Sequence, residues 1–470
     1  MNAEKSSSWT DHLRTTFSTQ AAFPKLSKEV QTKTTQQTYS ATSNPVLAEA
    51  PADDAHGSDS DEATGTGATP EESEAAADKY IVFGSCLKNL LKRSSDCFSL
   101  NTQVSFDLVG SMVKATTTCS AGHTSIWESQ PKCHGKPEGN ILMCSGIVFS
   151  GGCPTKVLRL FDIMGVARIH STQFNEYQKC YVLPAVMSVW RAEQRRLFKS
   201  LEWRPLRLAS DGWSDSPGFS ALHGTYSLLE TSINRIIHLE LVQSTEVKSS
   251  CHMELEGLTR SLVYFAELGI TVEVLVTDRH LQVSAYMKRE HPLIQHRFDI
   301  WHVSKGTETY KKLESVVLSK HLLRDIPKLS SYEQTFGLEA FHAVLIHFDP
   351  KSVSYRYDGL LGRTCIAALH YNCNADRKVR LTEDGEDKHA LKFSRARKHW
   401  TIVPVMEDTK FGYIQKLLTG LFEHIERYPT FAAAKEALPK QKRSTLGSTL
   451  AQKPDLETAV ATHQSRFRRQ

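Results

Sequence analysis

Residues 270–279 read ITVEVLVTDR, a nearly continuous apolar run that ends in an acid. A strand with water on one face alternates apolar and polar side chains, whereas an unbroken run is the texture of a strand covered on both faces. Helices are what cover such a strand, and both flanks supply one. Upstream, Met253 to Leu268 carries Leu255, Leu258, Leu262, Phe265 and Leu268 at helical spacing and stops at Gly269. Downstream, HLQVSAYMKREHP (280–292) reads as a helix closed by proline, and HRFDIWHV (296–303) as a further strand.

Further upstream lie three short strand-like segments. RPLRLASDG (204–212), FSALHGTYSLLE (219–230) and RIIHLELVQS (235–244) alternate and are rich in β-branched residues, with a polar turn around Thr231 to Asn234. The resulting order, β-β-β-α-β-α-β with a later helix, is that of an α/β, ribonuclease H-like mixed sheet. In that sheet the first and fourth strands are neighbours, so Asp211, at the end of the first, and Asp278, at the end of the fourth, converge. A third acid is expected from a helix crossing the same edge. SYEQTFGLEAFHAVLIHF (331–348) offers Glu339, with Glu333 as its competitor.

These residue types suit one chemistry. In-line cleavage of a phosphodiester needs two hard cations about 4 Å apart, one at the attacking oxygen and one at the leaving oxygen. Mg²⁺ and Mn²⁺ prefer carboxylate ligands. Asp211 would bridge the two ions, while Asp278 and Glu339 would each hold one. The plain alternative for Asp211 is a turn residue, since Asp-Gly is a common turn pair.

The rest of the chain divides by texture. Residues 1–78 contain 5 Lys and Arg against 13 Asp and Glu, a net of −8, and PADDAHGSDSDEATGTGATPEESEAAAD has no aliphatic residue larger than alanine. Such a segment cannot bury enough apolar surface to offset its ordering entropy, so a disordered tail is expected. The remaining residues carry +13, a surplus compatible with a phosphate-rich partner. Residues 80–135 mix short strands with Cys97, Cys119 and His123, and with Cys133 and His134. That is a degenerate zinc ribbon in which Ser94 stands where a paired knuckle has a second thiol, Cys133 or His134 being the fourth Zn²⁺ ligand. The alternative is a hairpin with ordinary thiols.

Residues 138–203 read as helical: Asn140 to Ser150, Thr155 to Gly165 and Ser171 to Val182, then Met187 to Trp203, a helix-turn-helix-like unit or a packed spacer. The sheet and its helices fill 204–430, and 431–470 reads as a basic tail with a short helix at its start. No apolar stretch approaches the roughly 20 residues a bilayer requires, and ten cysteines without paired spacing suit a reducing compartment, cytosol or nucleus.

Several segments resemble the DDE transposases of the Kolobok group of eukaryotic cut-and-paste DNA transposons. These are WESQP and GNIL, GCPTKVLRLF, SDGWSDSPGFSALHGTYSLLE, HLELVQSTEV, VTDRH, FDIWHVSKG, LEAFHAVLIHFDPK and YDGLLGRTCIAALHYNCN, which together cover about residues 80 to 410. The resemblance implies DNA strand cleavage and transfer by Asp211, Asp278 and Glu339, a zinc ribbon in the 97–134 region, DNA as partner, a homo-oligomer able to hold two DNA ends, and a nuclear location. It selects Glu339 over Glu333. One departure is plain: such transposases carry a long helical insertion before the glutamate helix, whereas only 61 residues separate Asp278 from Glu339. A catalytically inactive, transposon-derived DNA-binding protein is therefore the alternative, and a ribonuclease H-like nuclease acting outside transposition a more remote third.

Overall fold

The computed structural model describes residues 78–202, 204–216, 221–278, 280–299, 326–330, 334–351, 353–394, 398–439 and 455–462. The N-terminal acidic segment, Glu333, the expected strand beyond Asp299 and most of the C-terminal basic segment lie outside the described residues.

The chain opens with α1 (Gly84–Leu90), followed by a three-stranded antiparallel meander of β1 (Thr102–Val109), β2 (Met112–Cys119) and β3 (Thr124–Glu128). The sequence suggests one strand from Val104 to Met112. The chain instead reverses at Gly110-Ser111, where Gly110 has φ +67° and Val109 pairs with Met112. A two-residue hairpin turn with glycine in the left-handed region matches the twist of the strands it joins. A shorter hairpin follows, also with a two-residue turn, β4 (Lys132–Cys133) and β5 (Lys136–Pro137).

The helical block comprises α2 (Glu138–Phe149), α3 (Pro154–Met164), α4 (Ser171–Tyr177) and α5 (Leu183–Ser200). Where two separate helices are expected around Pro184, the chain runs without a break from α4 through a π-helical segment, Gln178–Val182, into α5. Proline has no N–H to donate and its ring crowds the carbonyl four residues back; a locally widened turn removes that clash.

The central sheet has β6 (Leu206–Ser214), β7 (His223–Glu230), β8 (Arg235–Gln243), β9 (Val272–Thr277) and β10 (Gln295–Phe298), with α6 (Met253–Glu267) and α7 (Leu281–Glu290) on the connections. Its order is β10-β9-β6-β7-β8; β6, β9 and β10 are parallel and β7 is antiparallel to both its neighbours. This is a mixed α/β sheet. Beyond it come α8 (Phe336–Phe348), α9 (Tyr357–Asn374), a hairpin of β11 (His389–Ser394) and β12 (His399–Pro404), α10 (Gly412–Arg427), α11 (Phe431–Glu436) and α12 (Leu456–Thr462).

The sheet is covered on both faces. Leu206, Leu208, Tyr226, Leu228 and Leu275 pack under α6 and α7, while Ala209, Trp213, Val274 and Val276 share a core with α2, α4, α5, α8, α9 and α10. The helical block and one face of the sheet thus have a common interior, and α11 joins it through buried Ala434. Asn372 of α9 bonds both backbone groups of Ile236 at 2.8 Å, satisfying part of the exposed edge of β8. Among the described residues, no helix is long and apolar enough to cross a membrane.

Candidate active site and metal centres

The register of the sheet builds the first site. Ala209 of β6 pairs with Val276 of β9, so two residues on Asp211 stands beside Asp278, on neighbouring strands roughly 4.8 Å apart. Phe298 of β10 pairs with Thr277, and the Asp299 N–H donates to the Thr277 carbonyl at 3.0 Å, which brings a third acid to the same edge. Asp211 lies within β6, paired with Ser227, whereas the sequence suggests the strand's end. It shares the strand face of Ala209 and Trp213, onto which α8 packs.

Helix α8 carries Glu339 in its first turn and His342 one turn on. His342 Nδ1 lies 3.6 Å from Asp211 Oδ2, and its Nε2 is buried without a partner. Burial and then the Lys351 charge lower its pKa to about 4, so the ring is neutral. Buried Arg363 anchors the far end of α8 through the Phe348 carbonyl at 2.9 Å and the Gly152 carbonyl at 2.8 Å. At the near end, Gly337 leaves room where a Cβ would come within 2.7 Å of Asn234 Oδ1.

Two acids that pattern reading did not single out belong to this cluster. Asp299 is buried and accepts a hydrogen bond from the Thr335 hydroxyl, tying the edge of the sheet to the start of α8. Glu254, in the first turn of α6, leans over Gly212, where an added Cβ would lie 3.3 Å from Glu254 Cγ. The Asp-Gly pair that suggests a turn is, in the fold, a space for a carboxylate. Glu254 also lines a cavity of about 280 Å³ beside β6, together with Trp213, Tyr226, Met253 and His280.

Electrostatics reflect the crowding. Burial, then the charges of Asp278, Glu339 and Asp299, push Asp211 up to about 7 against a bond from the Gly212 N–H. Burial, then Asp278 and Asp211, push Glu254 up to about 8. Asp278 Oδ1 is buried with no hydrogen-bond partner. Carboxylates this close repel, and bound cations or protons are what relieve the repulsion.

Cys97, Cys119 and His123 come together as the sequence suggests. Cys97 Sγ lies 3.6 Å from Cys119 Sγ, which lies 3.4 Å from His123 Nδ1. Tetrahedral zinc with Zn–S near 2.3 Å and Zn–N near 2.0 Å sets these edges at about 3.8 and 3.6 Å. Hydrogen bonds from Ser94, the Ser99 backbone, His123 and Cys119 lower the Cys97 thiol to about 6, toward the thiolate a metal needs. Ser94 therefore stands beside the ligand set in place of the missing thiol. Cys133 does not join this group. It sits with His134 and Glu426, and in each of these two clusters the three donor atoms all lie within 4.8 Å of one another. Cys133 ends β4, next to the turn whose His134 meets Glu426 of α10.

Asp211, Asp278 and Glu339 do not meet that spacing together. Two ions about 4 Å apart, each with ligands near 2.1 Å, span outer oxygens up to about 8 Å apart, so a two-metal site does not require it. No protein-family model and no curated protein matches the chain.

Proposed function

We propose that the protein is a transposase-like, metal-dependent DNA strand transferase built on a ribonuclease H-like core. The observation that carries this reading is that the register of neighbouring parallel strands sets Asp211, within β6, beside Asp278, just past the end of β9, beneath the helix that bears Glu339. Asp211 would bridge two Mg²⁺ or Mn²⁺ ions, Asp278 would offer its unpartnered Oδ1 to one and Glu339 would hold the other. Such ions, when bound, activate the attacking hydroxyl and stabilise the leaving oxygen. The chain's own part is to hold oxygen donors in a largely buried pocket, with Glu254 and Asp299 adding to the field that attracts divalent cations. The Cys97, Cys119 and His123 group fits Zn²⁺ as a structural ion.

Support for a DNA partner comes from the β11–β12 hairpin. Leu391, Phe393, Trp400 and Ile402 are exposed on it, with Phe393 and Trp400 paired edge to face at 5.7 Å. From Lys388 to Met406 the sequence has five Lys and Arg and no Asp or Glu. A basic ribbon with open aromatic rings suits phosphates and unstacked bases. A homo-oligomer and a nuclear location go with this reading, since joining two DNA ends takes two sites.

The second reading, a catalytically silent DNA-binding protein, is favoured by one observation, the 61 residues between Asp278 and Glu339. Mn²⁺-dependent nicking of plasmid DNA by the wild-type chain and by Asp278→Asn separates the two. Activity in the first and none in the second supports the transferase. Equal activity in both removes this site from the chemistry, and DNA binding without nicking in either assigns the silent role.

A further inference from the structure

We propose that Cys133, His134 and Glu426 form a second transition-metal site, suited to Zn²⁺ or a similar borderline cation, that fastens the β4–β5 hairpin to the C-terminal end of α10. The site joins residues 292 positions apart in the chain, with His134 Nε2 2.8 Å from Glu426 Oε2 and the Cys133 thiol completing a group whose donor atoms all lie within 4.8 Å. Sulfur, imidazole nitrogen and carboxylate oxygen together are a zinc-type donor set. Tetrahedral zinc would place these donors about 3.3 to 3.6 Å apart, so the His134–Glu426 contact needs to open by roughly half an ångström.

The backbone is shaped to present these donors. His134 and Gly135 are the two central residues of the turn, with φ +48° and +75°. A non-glycine residue in the left-handed region is uncommon, and here it sets the imidazole beside the thiol of the preceding strand residue. The hairpin is already seated: buried Lys136 bonds the Pro429 carbonyl and lies over the rings of Tyr181 at 5.2 Å and Phe431 at 5.6 Å. The loop therefore costs little further ordering on metal binding.

Glu426 supplies a second argument. It is in the last turn of α10, where the helix dipole disfavours an anion. A cation opposite it is favourable, and a divalent ion answers both the glutamate and the neighbouring thiol. The His134 and Glu426 side chains remain 36% and 66% exposed, which leaves the fourth coordination position open to water.

The test uses the full chain and Co²⁺ or Zn²⁺ alone, in a Cys97→Ser/Cys119→Ser background that silences the other thiol cluster. Equilibrium dialysis gives the metal content, and the near-ultraviolet thiolate-to-Co²⁺ charge-transfer band reports the sulfur ligand, which ions held by the carboxylate cluster cannot produce. The expected result is a charge-transfer band that disappears in Cys133→Ser, with affinity falling about tenfold or more in Glu426→Gln. No thiolate band, or one that persists after Cys133→Ser, overturns the proposal. Should the background chain fail to fold, Cys133→Ser in the otherwise native chain gives the same decision: loss of one bound Zn²⁺ supports the site, and undiminished zinc content refutes it.

Discussion

Replacing Glu254 with glutamine removes a carboxylate whose ionisation burial and the neighbouring acids both oppose. A carboxyl that binds its proton more tightly in the fold than in the unfolded chain contributes stability that is complete below its ordinary pKa and is lost as the pH rises through the raised one. For Glu254 that window runs from 4.5 to about 8, the shift arising from burial and then Asp278 and Asp211. At 1.36 kcal/mol per pKa unit, the wild-type chain carries a penalty of about 2 kcal/mol at pH 6 and about 4 kcal/mol at pH 8. These are ceilings, because water reaching a half-buried carboxyl screens the repulsion. Glutamine keeps the shape of the protonated acid and cannot ionise. Urea unfolding in EDTA should therefore show Glu254→Gln more stable than wild type, with an advantage up to about 2 kcal/mol larger at pH 8 than at pH 6. Mn²⁺ should shrink that advantage by neutralising the same field. An advantage equal at both pH values, or none, would refute the clustering of these acids.

Ser94→Cys should complete the tetrahedron around Cys97, Cys119 and His123 and raise zinc affinity roughly tenfold or more in chelator competition, since it supplies a fourth ligand and a third thiolate. Trp400→Ala should weaken single-stranded DNA binding by about 1 to 3 kcal/mol in fluorescence anisotropy, the value of one stacked base, without moving the melting temperature, because the ring is 64% exposed. Gly257→Ala should cost about 1 to 3 kcal/mol in unfolding experiments, because its Cβ would stand 2.4 Å from Tyr226 Cβ and force α6 off β7.

Where sequence signals were local, they were legible. The apolar run before Asp278 gives β9, and the helical spacing from Met253 with Gly269 behind it gives α6. The positions of Asp211 and Asp278 follow from strand order, since register alone sets them side by side. Glu254 and Asp299 were not legible because their approach depends on how α6 crosses the sheet and on Thr335 meeting the edge of β10, contacts with no sequence periodicity. Gly212 was the available signal, and it has a more common meaning as a turn. Cys133 was grouped with the nearer cysteines because spacing along the chain carries no information about Glu426, which lies on the last turn of α10. The sequence reading, which gave 204–430 to the sheet and its helices, did not single out the β11–β12 hairpin, for which the basic and aromatic stretch LKFSRARKHW was the available signal.

Mn²⁺ binding followed by electron paramagnetic resonance at pH 8, comparing wild type with Asp211→Asn, decides whether the carboxylate cluster is a two-metal site. Because Asp211 would bridge both ions, the wild type should bind two Mn²⁺ per chain and the variant should lose both. Undiminished Mn²⁺ binding by a folded Asp211→Asn chain would contradict the two-metal site.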